Sequence, residues 1–186
     1  MNRLFEAAAE IQECLVKEKN PFCFIGGIAN IRWGEIRITN DIDLTVLSGF
    51  GNEEAVAVKL LDHFKSRLSD PVPFAVSQRV LLLYSSDGIP IDVALSGLDF
   101  EELMISRSSE FEIVPGIKLI TCSAEDLIIT KAFANRPKDI QDIEGVIARQ
   151  KKQLDTDYIL TTFTPLSELK EDPSLLTRLG GLLKME

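Results

Sequence analysis

The amino-acid sequence predicts an α+β fold: a mixed β-sheet flanked by helices, with a helical C-terminal segment. Helical periodicity and short apolar runs alternate over the first two thirds of the chain, which suits a sheet covered by helices. An Asp87-Gly88 turn between two apolar runs adds an antiparallel hairpin, so the sheet is mixed. From about Ser123 onward the pattern is helical only. The chain is thus expected to divide into an α/β core over residues 1–122 and a helical segment over 123–186 packed on that core.

Each element follows from its local pattern. Over residues 2–18, Leu4, Ala7, Ala8, Ile11, Cys14 and Leu15 form one stripe, opposite Glu6, Glu10, Glu13 and Lys17. Pro21 stops that helix, and residues 22–25 read as a short apolar strand. Gly26-Gly27 turns the chain into a short helix over 28–33, which Gly34 ends. A strand over 38–47 carries Asp41 and Asp43 and closes at Ser48-Gly49-Phe50-Gly51. A second amphipathic helix is expected over 53–68, with Val56, Leu60, Leu61, Phe64 and Leu68 inward and Pro71 and Pro73 terminating it. Residues 79–84 and 89–95 are the two strands of the Asp87-Gly88 hairpin. Residues 98–106 are helical, and 111–119 form a strand or hairpin around Pro115-Gly116. Ser123, with Asp126 three residues on, caps a helix that reaches Ala134. Pro137 opens another at its first turn, continuing to about Gln150. The tail from Asp155 is helical and is expected to break at Pro165 and Pro173.

Composition bounds the function. The chain has 186 residues and is 45% hydrophobic, enough for one core and a small appended subdomain. Its 29 acidic and 20 basic residues give a net charge of −9, which argues against general DNA binding by phosphate neutralisation. Cys14, Cys23 and Cys122 are widely spaced and read as reduced core thiols. The single histidine, His63, excludes a His-rich metal site. No apolar run of spanning length appears and the N-terminus is acidic, so no membrane association and a cytoplasmic location are expected.

The chemistry begins at Asp41-Ile42-Asp43. Two aspartates one residue apart on a strand share a face, and a divalent cation relieves their repulsion. Mg²⁺ takes oxygen ligands and keeps waters and substrate phosphates in its shell. Asp92, between Ile91 and Val93 on the strand after the hairpin, is the candidate third carboxylate of a two-metal site, as general base or metal bridge. Gly26-Gly27 lets backbone approach an anion closely at a helix start, where a triphosphate can rest. Arg37, Thr39 and Asn40 stand just before the pair, within reach of phosphate or ribose. Lys131, Arg136 and Lys138 are either a phosphate-binding cluster or a solvated helix face. Asp139 and Asp142, three apart on that helix, either take part in the chemistry or pair with Arg136, Lys138 or Arg149.

Phe24-Ile25-Gly26-Gly27-Ile28-Ala29, with Arg37-Ile38-Thr39-Asn40-Asp41-Ile42-Asp43-Leu44 after it, resembles the signature of the DNA-polymerase-β-like nucleotidyltransferase superfamily. Together with Pro90-Ile91-Asp92-Val93 and the segment from Lys131 to Asp142, it is similar to the minimal enzymes related to AbiEii-type toxins. The resemblance covers roughly residues 22–147, and Gly27 stands where many members carry serine. It implies a nucleotidyltransferase-type sheet and Mg²⁺-dependent transfer of an NMP from an NTP such as ATP to a hydroxyl, with release of pyrophosphate. It further implies Asp41, Asp43 and Asp92 as metal and catalytic residues and Gly26, Gly27, Arg37 and Thr39 at the nucleotide. Lys131 would contact the triphosphate, and Asp139 would be an accessory carboxylate near the acceptor. The acceptor could be a small molecule, tRNA or protein, and the chain the toxin of a toxin–antitoxin pair with an antitoxin partner. The alternatives are a catalytically weak interaction module of such a system and an antibiotic-modifying nucleotidyltransferase; the negative charge suits a cationic acceptor.

Overall fold

A computed structural model describes residues 2–184. The chain divides into two compact units, one made of residues up to Ile28 plus Ile38–Cys122, the other of Ala29–Arg37 plus the chain from Ser123 on.

The first unit holds a seven-stranded mixed sheet. Its strands are β1 (Phe22–Phe24), β2 (Ile42–Leu47), β3 (Lys65–Ser66), β4 (Val80–Tyr84), β5 (Pro90–Ser96), β6 (Ser109–Val114) and β7 (Ile117–Thr121), in the order β3-β4-β5-β2-β1-β7-β6. The β2–β5 and β1–β7 pairs are parallel and the others antiparallel, so the α+β expectation with a mixed sheet holds. Helix α1 (Asn2–Lys17) buries Leu4, Ala7, Ala8, Ile11 and Leu15, the stripe its sequence presents. Gln12 fixes it to β7, donating to Lys118 O at 2.8 Å and accepting from Ile120 N at 2.9 Å. The Asp87-Gly88 turn forms as expected, with Gly88 at φ +78° and Ser85 N donating to Ile89 O at 2.9 Å.

In this unit three expectations are corrected. The strand expected over 38–47 begins only at Ile42, because Asp41 sits in a bend whose carbonyl and carboxylate accept from Thr39 Oγ1. The helix expected over 53–68 ends early, as α3 (Glu53–Leu61). His63 N and Phe64 N both turn back onto Leu60 O, Phe64 is buried, and Lys65–Ser66 then satisfies the backbone edge of β4. Pro71 opens α4 (Pro71–Gln78) rather than ending α3, since proline suits the first helical turn, where no N–H is needed. Helix α5 (Asp99–Ser106) follows β5, its start closed by Glu101 accepting from the Gly97 and Leu98 amides.

The second unit is helical. The chain crosses into it within α2 (Gly26–Trp33) and returns to it in α6 (Ala124–Ala134), α7 (Pro137–Gln150), α8 (Thr156–Leu169) and α9 (Ser174–Leu183). Ser123 caps α6 by accepting from Asp126 N at 3.1 Å. Asn135, at φ +54°, ends α6, and Pro137 starts α7. Pro165 lies inside α8 and does not break it: Ile159, Phe163 and Ser167 form one buried face across the proline, and that burial outweighs the lost backbone bond. Arg149 and Gln150 hold the segment after α2 by donating to Gly34 O and Trp33 O at 2.7 and 2.8 Å. No helix of the described residues is long and apolar enough to cross a membrane, and Cys14, Cys23 and Cys122 are not joined by disulfides.

Candidate active site

The parallel register of β2 and β5 sets Asp43 beside Asp92. Ile42, Leu44, Ile91 and Val93 are fully buried, so the two aspartates project together from the other face. Adjacent strands lie about 4.8 Å apart, which places two carboxylates side by side on a half-exposed surface. Ile25 N donates to Asp43 O at 3.0 Å and brings the start of α2 against this strand. The contact is close enough that only glycine fits. A Cβ on Gly26 would overlap Asp43 Oδ2 and come within 2.7 Å of Asp43 Cβ, and Gly26 has φ +55°. A Cβ on Gly27 would likewise collide with the Thr39 hydroxyl, 2.8 Å from Thr39 Cβ. Thr39 Oγ1 in turn donates to Asp41 Oδ1 at 3.0 Å. One patch of the first unit therefore joins Gly26, Gly27, Thr39, Asp41, Asp43 and Asp92 through contact or register.

This patch fits a Mg²⁺ site chemically. Its donors are carboxylate and hydroxyl oxygens, and the glycine cradle is closed to any side chain. Among the described residues no three His, Cys, Asp or Glu side chains converge into a complete metal cage. Mg²⁺ does not require one, since it is bound through one or two carboxylates with water and substrate phosphate completing the shell.

The structure also pairs Asp92 with Arg67, whose Nη1 donates to Asp92 Oδ1 at 2.5 Å. Sequence reading missed this residue because it assigned Arg67 to the long helix over 53–68. A two-residue edge strand carries too few positions to show a period of two.

The second unit gathers the other candidates. Arg37 forks onto Asp142, with Nε and Nη2 donating to its two oxygens at 2.8 and 2.9 Å. Lys131 Nζ donates to Asp142 Oδ2 at 2.5 Å and lies 3.6 Å from Asp139. Arg136 donates from Nε to Asp139 Oδ2 at 2.6 Å and from its backbone N–H at 3.1 Å. Lys131, Asp139 and Asp142 are buried and form an internal ionic network, whereas Arg136 and Lys138 are exposed, so the solvated-face reading fails for Lys131 only. Burial pushes the Asp142 carboxyl up, but hydrogen bonds from Arg37 and Lys131 more than reverse it and hold it below the usual carboxylate range. Asp139 is lowered in the same way: burial acts upward, and the Arg136 side chain and backbone with the Lys131 charge win. A cavity of about 810 Å³ opens in this unit between the end of α7 and Leu182, and none of the candidate aspartates lines it.

Comparison with known proteins gives a family and a fold. Residues 2–171 match the family model described as nucleotidyltransferase of unknown function (DUF6036). No curated protein matches the chain. Among solved structures, the antibiotic-resistance factor ANT(2'')-Ia in solution superposes with a TM-score of 0.58 at 15% identity, covering 91% of this chain and 94% of that one. An antigenic nucleotidyltransferase-like protein from Paracoccidioides brasiliensis superposes at 0.54 and 16% identity, covering 95% and 93%. The lincosamide antibiotic adenylyltransferase LnuA, with lincomycin bound, superposes at 0.51 and 16% identity, covering 76% and 94%. At such identities the likeness is one of fold, and the fold is nucleotidyltransferase-like.

Proposed function

Because this chain belongs to the family of nucleotidyltransferases of unknown function, we propose that it transfers a nucleoside monophosphate from an NTP to a hydroxyl acceptor and releases pyrophosphate. The observation that carries the reading is the pairing of Asp43 with Asp92 across parallel strands, against a glycine turn that no other residue could replace. Asp41, Asp43 and Asp92 are the residues that would hold Mg²⁺, which when bound neutralises phosphate charge and activates the attacking oxygen. The Gly26-Gly27 backbone at the start of α2 receives the phosphates through first-turn amides, which have no partner within the helix. Asp92 takes the proton of the acceptor hydroxyl as that oxygen bonds to the α-phosphorus and the bond to the pyrophosphate oxygen breaks. Thr39 holds Asp41 through its hydroxyl. Positioning and charge stabilisation do most of the work in such a transfer.

The acceptor divides the finer readings. One of the solved structures named above is an antibiotic-resistance factor and another an antibiotic adenylyltransferase, and a net charge of −9 favours a cationic small molecule over tRNA as acceptor. The toxin reading rests on the sequence resemblance alone. A catalytically weak interaction module, with a protein partner such as an antitoxin, is favoured by one observation. Arg37 and Lys131, both candidates for phosphate, are committed to Asp142.

The test is incubation of the protein with each α-labelled NTP and Mg²⁺, alone and with an aminoglycoside, a lincosamide, tRNA or cell extract. We expect label on one acceptor, pyrophosphate release, and loss of both by at least 100-fold in Asp43→Asn, the size of effect that loss of electrostatic stabilisation produces. NTP binding that is independent of Mg²⁺ and untouched by Asp43→Asn would overturn the proposal.

A further inference from the structure

Arg67, Leu82, Asp92 and Asp43 lie in one row that runs from the residue just after β3 across β4, β5 and β2. Arg67 N donates to Leu82 O at 2.9 Å, Leu82 is the register partner of Asp92 on β5, and Asp92 is the register partner of Asp43 on β2. Row neighbours share a face. The Arg67 side chain therefore extends over Leu82, across two strand spacings of about 4.8 Å each, to place its guanidinium on Asp92. The pair is not a loose surface contact: the side chains are 25% and 37% exposed and the N–O distance is 2.5 Å. The row thus carries one positive and two negative charges, with the cation on the outer carboxylate.

We propose that Arg67 is a positioning residue that competes with a divalent cation for Asp92. The inference rests on the reading of Asp41, Asp43 and Asp92 as cation ligands. Two adjacent carboxylates attract a divalent cation because each suffers the other's charge. A guanidinium on Asp92 removes part of that charge and blocks Oδ1 as a ligand. In the absence of nucleotide, then, a cation sees mainly Asp41 and Asp43. An NTP brings phosphate oxygens and negative charge of its own, which shifts the balance toward the cation and frees Asp92 to accept a proton. Arg67 would thereby tie full assembly of the site to the arrival of substrate.

The experiment is Mn²⁺ titration followed by electron paramagnetic resonance, without nucleotide, on the wild-type protein, Arg67→Met, Arg67→Gln, Arg67→Lys and Arg67→Met/Asp92→Asn. Thermal melts verify that each variant is folded. The expected result is Mn²⁺ binding about tenfold tighter in Arg67→Met and Arg67→Gln, equal to about 1.4 kcal/mol. Arg67→Lys stays near wild type, and the gain disappears in the double variant. With a non-hydrolysable ATP analogue present, the difference between wild type and Arg67→Met shrinks. A purely structural ion pair would leave Mn²⁺ affinity unchanged or weaken it when broken. That result, in a protein whose Mn²⁺ binding still depends on Asp43, overturns the role of Arg67 alone. Failure of every variant to bind Mn²⁺, with no effect of Asp43→Asn, overturns the reading of the site and this inference with it.

Discussion

At the residue scale, glycine at position 26 is dictated by both backbone and packing. Its φ of +55° disfavours any side chain, and the Cβ position is already filled by the Asp43 carboxylate. Gly26→Ala should cost about 2 kcal/mol, measured by urea denaturation, because left-handed strain and a displaced aspartate act together. A variant as stable as wild type would show that α2 can start without this approach. Both glycines were visible in the sequence as a turn. The reason for glycine at position 27 was not, because the contact that requires it comes from Thr39, twelve residues along the chain and outside any regular element. Asp43 and Asp92 were legible as partners, because alternation with buried Ile and Val fixes which face they take. Arg67 was not, since its place in the row depends on the register of β3 with β4.

At the scale of elements, α6 and α7 are joined by charge as well as by apolar packing. Asp142 pairs with both Arg37 and Lys131, and Asp139 pairs with Arg136 and lies beside Lys131. Asp142→Ala removes the carboxylate that Arg37 and the buried Lys131 share, and should destabilise the fold by about 3 kcal/mol in chemical denaturation. The same network sets an acid limit. Both carboxyls are lowered on folding, so their contribution is complete above the unfolded value of about 4 and is lost as pH falls through the folded values. The melting temperature of the wild type should therefore drop below about pH 4, and Asp142→Asn should show a shallower drop. An equal acid slope in the two proteins would remove the network from the account. Sequence spacing suggested these residues as a cluster, but only burial separates an internal network from a solvated face, and burial depends on what packs over the helices.

At the scale of the whole molecule, a net charge of −9 opposes binding to any extended polyanion. Fluorescence anisotropy with a duplex DNA at physiological salt should show no association below about 100 μM, the weak end of non-specific DNA binding. Micromolar binding with a steep salt dependence would reveal a local basic surface strong enough to override the total charge. The sequence by itself determined the mixed sheet, the helical C-terminal part, the hairpin at Asp87-Gly88 and the aspartates of the candidate site. These depend on hydrophobic period, turn chemistry and residue type, all of which are local. Tertiary structure alone decided that α3 stops at Leu61, that Pro165 remains inside a helix, that Arg67 reaches Asp92 and that Lys131 and Arg37 meet on Asp142. Each of those outcomes turns on a partner distant in the chain: an open strand edge, a buried helix face, or an unpaired charge. Local propensity does not encode which distant group arrives to satisfy it.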